Sequence, residues 1–300
     1  MEDNFTKLGD GGATQPAIRC VVAPNPSMMT QNGTNTYILG TGRVAIIDPG
    51  PAIDTHRTAI LAALHPGESV SHILVTHAHL DHSGLAPSLS RALSAPVYGF
   101  GPAESGRTPA MQRLADLIPI GGGEGVDHAF IPDIAVADNE RIGASTWEVQ
   151  AIHTPGHMGN HLCFAAGDIL FSGDHVMGWS TSLISPPHGD MTTYMDSLAK
   201  LARRSWSVFF PGHGAAVTDP SQRLAALIAH RRAREMALLA VLAQRPADIA
   251  TLTRLVYPQI ETRLVAAARR NVIAHLIDLE GRKLIAAAPV LGPDAVFSLV

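Results

Sequence analysis

Thr76-His77-Ala78-His79-Leu80-Asp81-His82 places three histidines and a carboxylate within six positions, directly after the apolar run His72-Ile73-Leu74-Val75. Neutral imidazole nitrogens and carboxylate oxygens suit zinc and similar first-row ions, and a loop leaving a strand end can turn alternate side chains toward one point. A metal site is the expectation. With 15 His in the chain, a loop rich in histidine by chance is the competing explanation, and context argues against it. Downstream stand His153-Thr154-Pro155-Gly156-His157, Phe171-Ser172-Gly173-Asp174 and Pro211-Gly212-His213-Gly214. Each follows or closes a short apolar segment, as strand ends facing one edge of a fold would.

In this order the motifs resemble the metallo-β-lactamase superfamily over residues 17–222. The resemblance implies that His77, His79 and His157 hold one metal, Asp81, His82 and His213 the other, and that Asp174 bridges them. It implies two divalent cations, with zinc the expected identity, although His/Asp sites also accept manganese or iron. Asp48, closing the run Val44 to Asp48, matches a supporting aspartate that orients ligands by hydrogen bonding. The implied mechanism is hydrolysis by a metal-bridging hydroxide, since a bound metal lowers the pKa of water to about 7. Asp81 is the expected catalytic residue, fixing one metal and hydrogen-bonding the hydroxide. His157 rather than His153 is the expected ligand of its motif, His175 is expected to point away, and His161 is open between touching substrate and a structural role. His188 and Asp190 lie in a loop that could border the cleft.

A second set of residues narrows the resemblance: Gly173 to Gly178, Pro186 to Met191, Tyr194-Met195 and His230-Arg231-Arg232. These resemble the beta-lactamase-like protein 2 group, which joins the catalytic domain to a winged-helix-like tail and includes an endoribonuclease acting on single-stranded RNA. Single-stranded RNA is therefore the leading expected substrate. A glyoxalase-II-like thioester hydrolase acting on a small ester or thioester is the rival. A nucleic-acid-binding or assembly module with a structural metal site, its tail serving as a homodimer contact, is the alternative of a different class. Structural zinc sites are usually closed mononuclear tetrahedra, which the seven implied ligands exceed. The interval from Asp174 to His213 is too short for the large insert of nucleic-acid-processing relatives with a cap domain. Lactam hydrolysis is disfavoured, because true lactamases of the family generally lack an aspartate equivalent to Asp174.

These motifs need strands to carry them. Apolar runs at Ile18 to Ala23, Asn35 to Leu39 and Val44 to Asp48, then a helical stretch Thr55 to Leu64, predict a layered α/β architecture, the αββα sandwich that the resemblance implies. Ser83 to Leu93 reads as a helix with Pro87 near its first turn. The pattern weakens from Pro109 to Glu124, and Gly121 to Gly125 reads as a mobile connection. After Pro220 helical spacing dominates, with Arg231, Arg232 and Arg234 expected on a solvated face. Helices near Ile249 to Val256 and Glu261 to Leu279, then strands Lys283 to Ala287 and Ala295 to Val300, outline a winged-helix-like domain with Leu279 to Arg282 opening the wing. The expected division is 1–222 catalytic and 223–300 winged-helix-like.

Composition agrees with an enzyme of this size: 46% hydrophobic and 16% charged residues across 300 positions allow a large core and a second domain. Cys20 and Cys163 are the only cysteines, so neither a disulfide framework nor a thiolate zinc site is expected. The first residues lack a basic region followed by an apolar core, and no apolar run is long enough to span a bilayer, so a cytoplasmic protein without membrane contact is expected. The net charge of −4 hides an asymmetry: residues 221–300 hold 11 Arg and Lys against 6 Asp and Glu, leaving 11 against 20 in residues 1–220. A basic tail permits an anionic partner without requiring one.

Overall fold

A computed structural model describes residues 6–10, 16–117 and 125–300. The first sheet contains β1 (Thr6–Asp10), β2 (Ala17–Val22), β3 (Asn35–Leu39), β4 (Arg43–Ile47), β5 (Ser69–Leu74), β6 (Val97–Gly99) and β7 (Ile134–Ala135), side by side in that order. It is antiparallel up to β4 and parallel from β4 to β7. The second sheet contains β8 (Arg141–Ala144), β9 (Trp147–His153), β10 (Leu162–Ala166), β11 (Ile169–Gly173) and β12 (Val208–Pro211), with β11 and β12 parallel.

Strand periodicity explains the layering. Along β3 and β4, Tyr37, Leu39, Ala45 and Ile47 face the second sheet, meeting Phe164, Phe171 and Phe210. The alternate residues Ile38, Val44 and Ile46 face the opposite way, onto Ile60 of α1 (Asp54–Ala62) and Leu89 of α3 (Ala86–Leu93), which follows the short α2 (Leu80–Ser83). In β10 the same alternation sends Cys163 and Ala165 outward onto Tyr194 and Leu198 of α5 (Met191–Leu201). Side chains that alternate between two buried faces require helices on both outer sides, hence an αββα sandwich.

The expected helix from Ser83 to Leu93 is divided. α2 ends at Ser83 and α3 starts at Ala86, because Pro87 has no N–H to donate to Ser83 O; Gly84 between them lies where a Cβ would come 2.5 Å from Leu80 O and 2.9 Å from Ala52 N. Where the sequence pattern weakens, Pro109–Leu117 forms α4, whose Met111 and Leu114 are buried in the C-terminal core. The expected glycine-rich connection lies, apart from Gly125, outside the described residues.

The C-terminal part is a winged-helix domain of α6 (Pro220–Leu242), α7 (Ile249–Val256), α8 (Val265–Gly281) and a small sheet in the order β13 (Ala247–Asp248), β15 (Val296–Leu299), β14 (Ile285–Ala288). The expected wing opening at Leu279 to Arg282 is instead the end of α8, and the hairpin turns between β14 and β15. α6 passes through residues 222 and 223 and serves two cores. Its Leu224 and Leu227 pack with β10 and α5, whereas Leu238 and Leu242 pack with α7 and α8. Among the described residues no helix is long and apolar enough to cross a membrane.

Candidate metal centre

Within each sheet the strands that deliver the motif residues run in one direction, and their C-terminal ends meet where the ligand side chains converge. β4 and β5 are parallel, as are β11 and β12, and two antiparallel steps through β10 bring β9 into line with β11. Asp48 leaves β4, Thr76 to His82 leave β5, His157 follows β9, Asp174 follows β11 and His213 follows β12.

All seven residues implied as ligands converge there. His77 Nε2 and His157 Nε2 lie 2.9 and 3.1 Å from His79 Nδ1. Beside this trio, His213 Nε2 lies 3.3 Å from His82 Nε2 and 3.3 Å from Asp81 Oδ2. Asp174 stands between the groups, its Oδ1 3.4 Å from both His82 Nε2 and His213 Nε2 and its Oδ2 3.7 Å from His157 Nε2.

Outer hydrogen bonds set the ring orientations. His157 Nδ1 donates to Leu183 O at 2.7 Å and His213 Nδ1 to Gly33 O at 3.2 Å, and a carbonyl can only accept, so in the neutral rings each Nε2 carries the lone pair. Asp48 receives His82 Nδ1 at 2.9 Å, Thr76 N at 2.8 Å and Thr76 Oγ1 at 2.8 Å, so one carboxylate orients His82 and the loop that carries His77. Asn35 Nδ2 and Tyr37 OH both donate to Pro211 O, at 2.9 and 2.7 Å, holding the turn before His213.

The electrostatics divide the cluster. Burial, with neighbouring imidazoles, lowers His77 well below its ordinary value and His79 to about 3; burial also lowers His157. Burial opposes protonation of His82 too, yet the Asp174, Asp48 and Asp81 carboxylates raise it well above the usual range. His213 follows the same pattern, burial opposing and Asp174 and Asp81 raising it to about 9. Burial raises Asp81, but His82 and His213 outweigh it and hold the carboxyl at about 2. Three neutral lone pairs meet on one side, while on the other a carboxylate pair demands positive charge. The buried Asp174 Oδ1 also lacks a hydrogen-bond partner. This donor set fits a pair of divalent cations, which would satisfy lone pairs and carboxylates together.

The remaining sequence candidates lie outside the cluster. His153 stacks on Phe100, ring centroids 3.9 Å apart, and hydrogen-bonds Gly159 O. His161 bonds Thr154 and stacks behind His77, and His175 packs on the Tyr194 ring. His188 and Asp190 do not line the cleft: His188 pairs with Arg107, and Asp190 caps α5 by accepting from Thr192 N and Thr193 N. The expectation of a solvated arginine face fails for Arg231, which is 1% exposed and donates to Ser182 O and Asn271 Oδ1. Burial pushes both cysteine thiols up to about 12, so neither is a thiolate near neutral pH.

Sequence reasoning missed the link between the two domains. Asn271 of α8 accepts from Arg231 and, at 3.1 Å, from Ile184 N, clamping the segment whose Leu183 carbonyl orients His157. Ser182 Oγ in the same segment donates to Asp174 O. A lone Asn inside a helix carries no spacing signal that could have marked it.

His79, Asp81, His157, Asp174 and His213 line a cleft of about 860 Å³ between the domains. Met28, Leu80, Trp179 and Leu183 form one side, Tyr257 and Leu264 the other.

Residues 29–213 match the metallo-beta-lactamase superfamily, and residues 249–288 match the beta-lactamase associated winged helix domain. The chain is 34% identical over 278 residues to the "Beta-lactamase-like protein 2 homolog" of Drosophila melanogaster, covering 89% of this chain and 88% of the relative. It is 30% identical over 247 residues to a Claviceps purpurea protein named "Atrochrysone carboxyl ACP thioesterase", covering 80% of this chain and 70% of the relative. A beta-lactamase domain protein from Burkholderia ambifaria shares the fold with a TM-score of 0.79 at 19% identity, over 99% of this chain and 93% of that one. Matched over more than half its length, this chain belongs to the metallo-β-lactamase superfamily and is a metallo-hydrolase with a C-terminal winged-helix domain.

Proposed function

We propose that this hydrolase cleaves acyl thioesters of small molecules, using two divalent metal ions, zinc foremost. His77, His79 and His157 would hold one ion, Asp81, His82 and His213 the other, with Asp174 between them. Bound there, the ions would supply Lewis acidity, acidifying a water nucleophile and neutralising negative charge on the substrate oxygen. Asp81, 29% exposed at its side chain, is the cluster carboxylate most open to the cleft and would be the proton acceptor there. Asp48, Leu183 and Gly33 keep His82, His157 and His213 aimed inward.

The observation that carries the substrate class is the cleft lining. Apolar and aromatic side chains dominate its walls, and Arg234 is the one Lys or Arg among the described lining residues. An apolar acyl group gains from burial there, whereas an RNA strand needs a row of cations for its phosphates. The thioesterase name borne by a relative supports the same reading.

Assay of acyl thioesters and unstructured RNA with metal-loaded protein, with Asp81→Ala as contamination control, tests this. Thioester turnover at least 100-fold above the control, without RNA cleavage, is the expected result, given the roughly 10²-fold or larger losses typical when a catalytic proton acceptor is removed. Salt-sensitive RNA cleavage lost in the control, with thioesters untouched, would sink the proposal.

A further inference from the structure

α6, which sends His230 and Arg234 to the cleft, carries three arginines without a paired carboxylate. Arg223, Arg231 and Arg234 all project from α6 to backbone carbonyls of neighbouring segments. Arg223 donates to Met177 O at 2.7 Å and to Ser180 O. Arg231 donates to Ser182 O and Asn271 Oδ1, and its buried Nε has no partner. Arg234 donates Nη1 to Val256 O at 2.8 Å, with its guanidinium carbon 4.4 Å from the centre of the Tyr257 ring. Every acceptor is neutral, and none of the three pairs with a carboxylate among the described residues. Arg231 is buried and lines a separate pocket with Asp196, Glu235 and Asp278, whereas Arg234 is half-buried on the cleft side, where a partly desolvated guanidinium without a paired carboxylate favours an anion.

Only Arg234 brings this charge into the open cleft. His230, which also lines it, is kept neutral near pH 7 by burial and by Arg231, Arg234 and Arg223. Tyr257 and Val256 O hold the Arg234 fork in place while leaving most of its N–H donors free, the arrangement that suits two-point recognition of a carboxylate or phosphate.

We propose that Arg234 is a substrate-recognition residue binding one anionic group remote from the scissile carbonyl, either a carboxylate on the acyl chain or a phosphate on the thiol carrier. The assignment rests on the thioesterase reading above. A single cation in an apolar cleft selects a singly anchored small molecule.

Four thioesters separate the two sources of charge: an aliphatic acyl chain, and the same chain ending in a carboxylate, each carried on N-acetylcysteamine and on pantetheine 4′-phosphate. One charged arm should exceed its neutral counterpart by about tenfold in kcat/KM, chiefly through KM, consistent with a charged hydrogen bond. Arg234→Gln should bring that ratio close to one, and Arg234→Lys should keep part of it. No preference among the four, or an equal loss on all four in Arg234→Gln, would overturn the assignment. Should none be turned over, the thioesterase reading fails, and calorimetric titration still reads Arg234. The ω-dicarboxylate and pantetheine phosphate would then be compared with their uncharged analogues, and equal affinities for the wild-type protein and Arg234→Gln would refute the subsite.

Discussion

Histidines that look alike in sequence differ in what their second nitrogen does. His157 gives Nδ1–H to Leu183 O and turns a lone pair toward His79, whereas His153 spends its Nε2 on Gly159 O and its face on Phe100. His157→Ala should therefore release metal and abolish hydrolysis, while His153→Ala should keep the metal and lose stability only, by about 1–3 kcal/mol from the broken packing and hydrogen bond. Metal analysis beside thermal melting checks this, and the reverse pattern would show the ligand assignment to be wrong. Asp174 stands within 3.4–3.7 Å of histidines from both groups, so its two oxygens are within reach of both proposed ion positions. Elemental analysis should find two ions per chain, with Asp174→Ala lowering occupancy and activity together. Saturation of the wild-type protein at one ion would remove the bridging role.

At the scale of elements, α6 and α8 reach the metal centre through the 182–184 segment. Asn271 Oδ1 joins Arg231 to Ile184 N, and one residue earlier Leu183 O holds His157. Asn271→Ala removes an acceptor that two donors share, and partners of metal ligands typically carry about 10–100-fold in metal affinity when disturbed. A loss near tenfold in affinity for the less tightly held ion is expected. Asn271→Asp, which keeps the acceptor and adds charge against Arg231, should restore much of it. Competition with a chromophoric chelator measures both variants, and unchanged affinity in Asn271→Ala would show that the clamp only supports the fold.

Across the whole molecule, buried neutral histidines tie stability to pH. Burial holds His56 at about 4, and burial with Arg231, His230 and Arg234 nearby holds His275 at about 3. In the unfolded chain each titrates near 6.5. Between these values the unfolded state binds more protons than the folded one, so their stabilisation is complete above pH 6.5 and is lost as pH falls toward 4 and then 3. Each such group can contribute a slope up to about 1.4 kcal/mol per pH unit in that window. Urea midpoints of chelator-treated protein should fall from pH 7 to pH 5, and His275→Met should flatten the dependence. An identical pH profile in that variant would show that His275 titrates alike in the folded and unfolded chains.

The amino-acid sequence by itself determined the candidate ligand types, the strands that end in them and the alternation that demands helices on both outer faces, because these depend on local spacing and strand periodicity. Asn35 to Leu39 reads as a strand and is one, and the motif residues sit at strand ends as their flanking apolar runs predict. Only the tertiary structure decided which arginines are buried. Arg231 follows the same helical spacing as a solvated residue, and its environment comes from Ser182, Tyr194 and Asn271. The same holds for α4, whose weak pattern is stabilised by the C-terminal core that receives Met111 and Leu114. The cleft, too, belongs to the folded molecule alone: its walls come from segments more than 200 residues apart, such as Met28 and Leu264, and no local periodicity records a contact of that range.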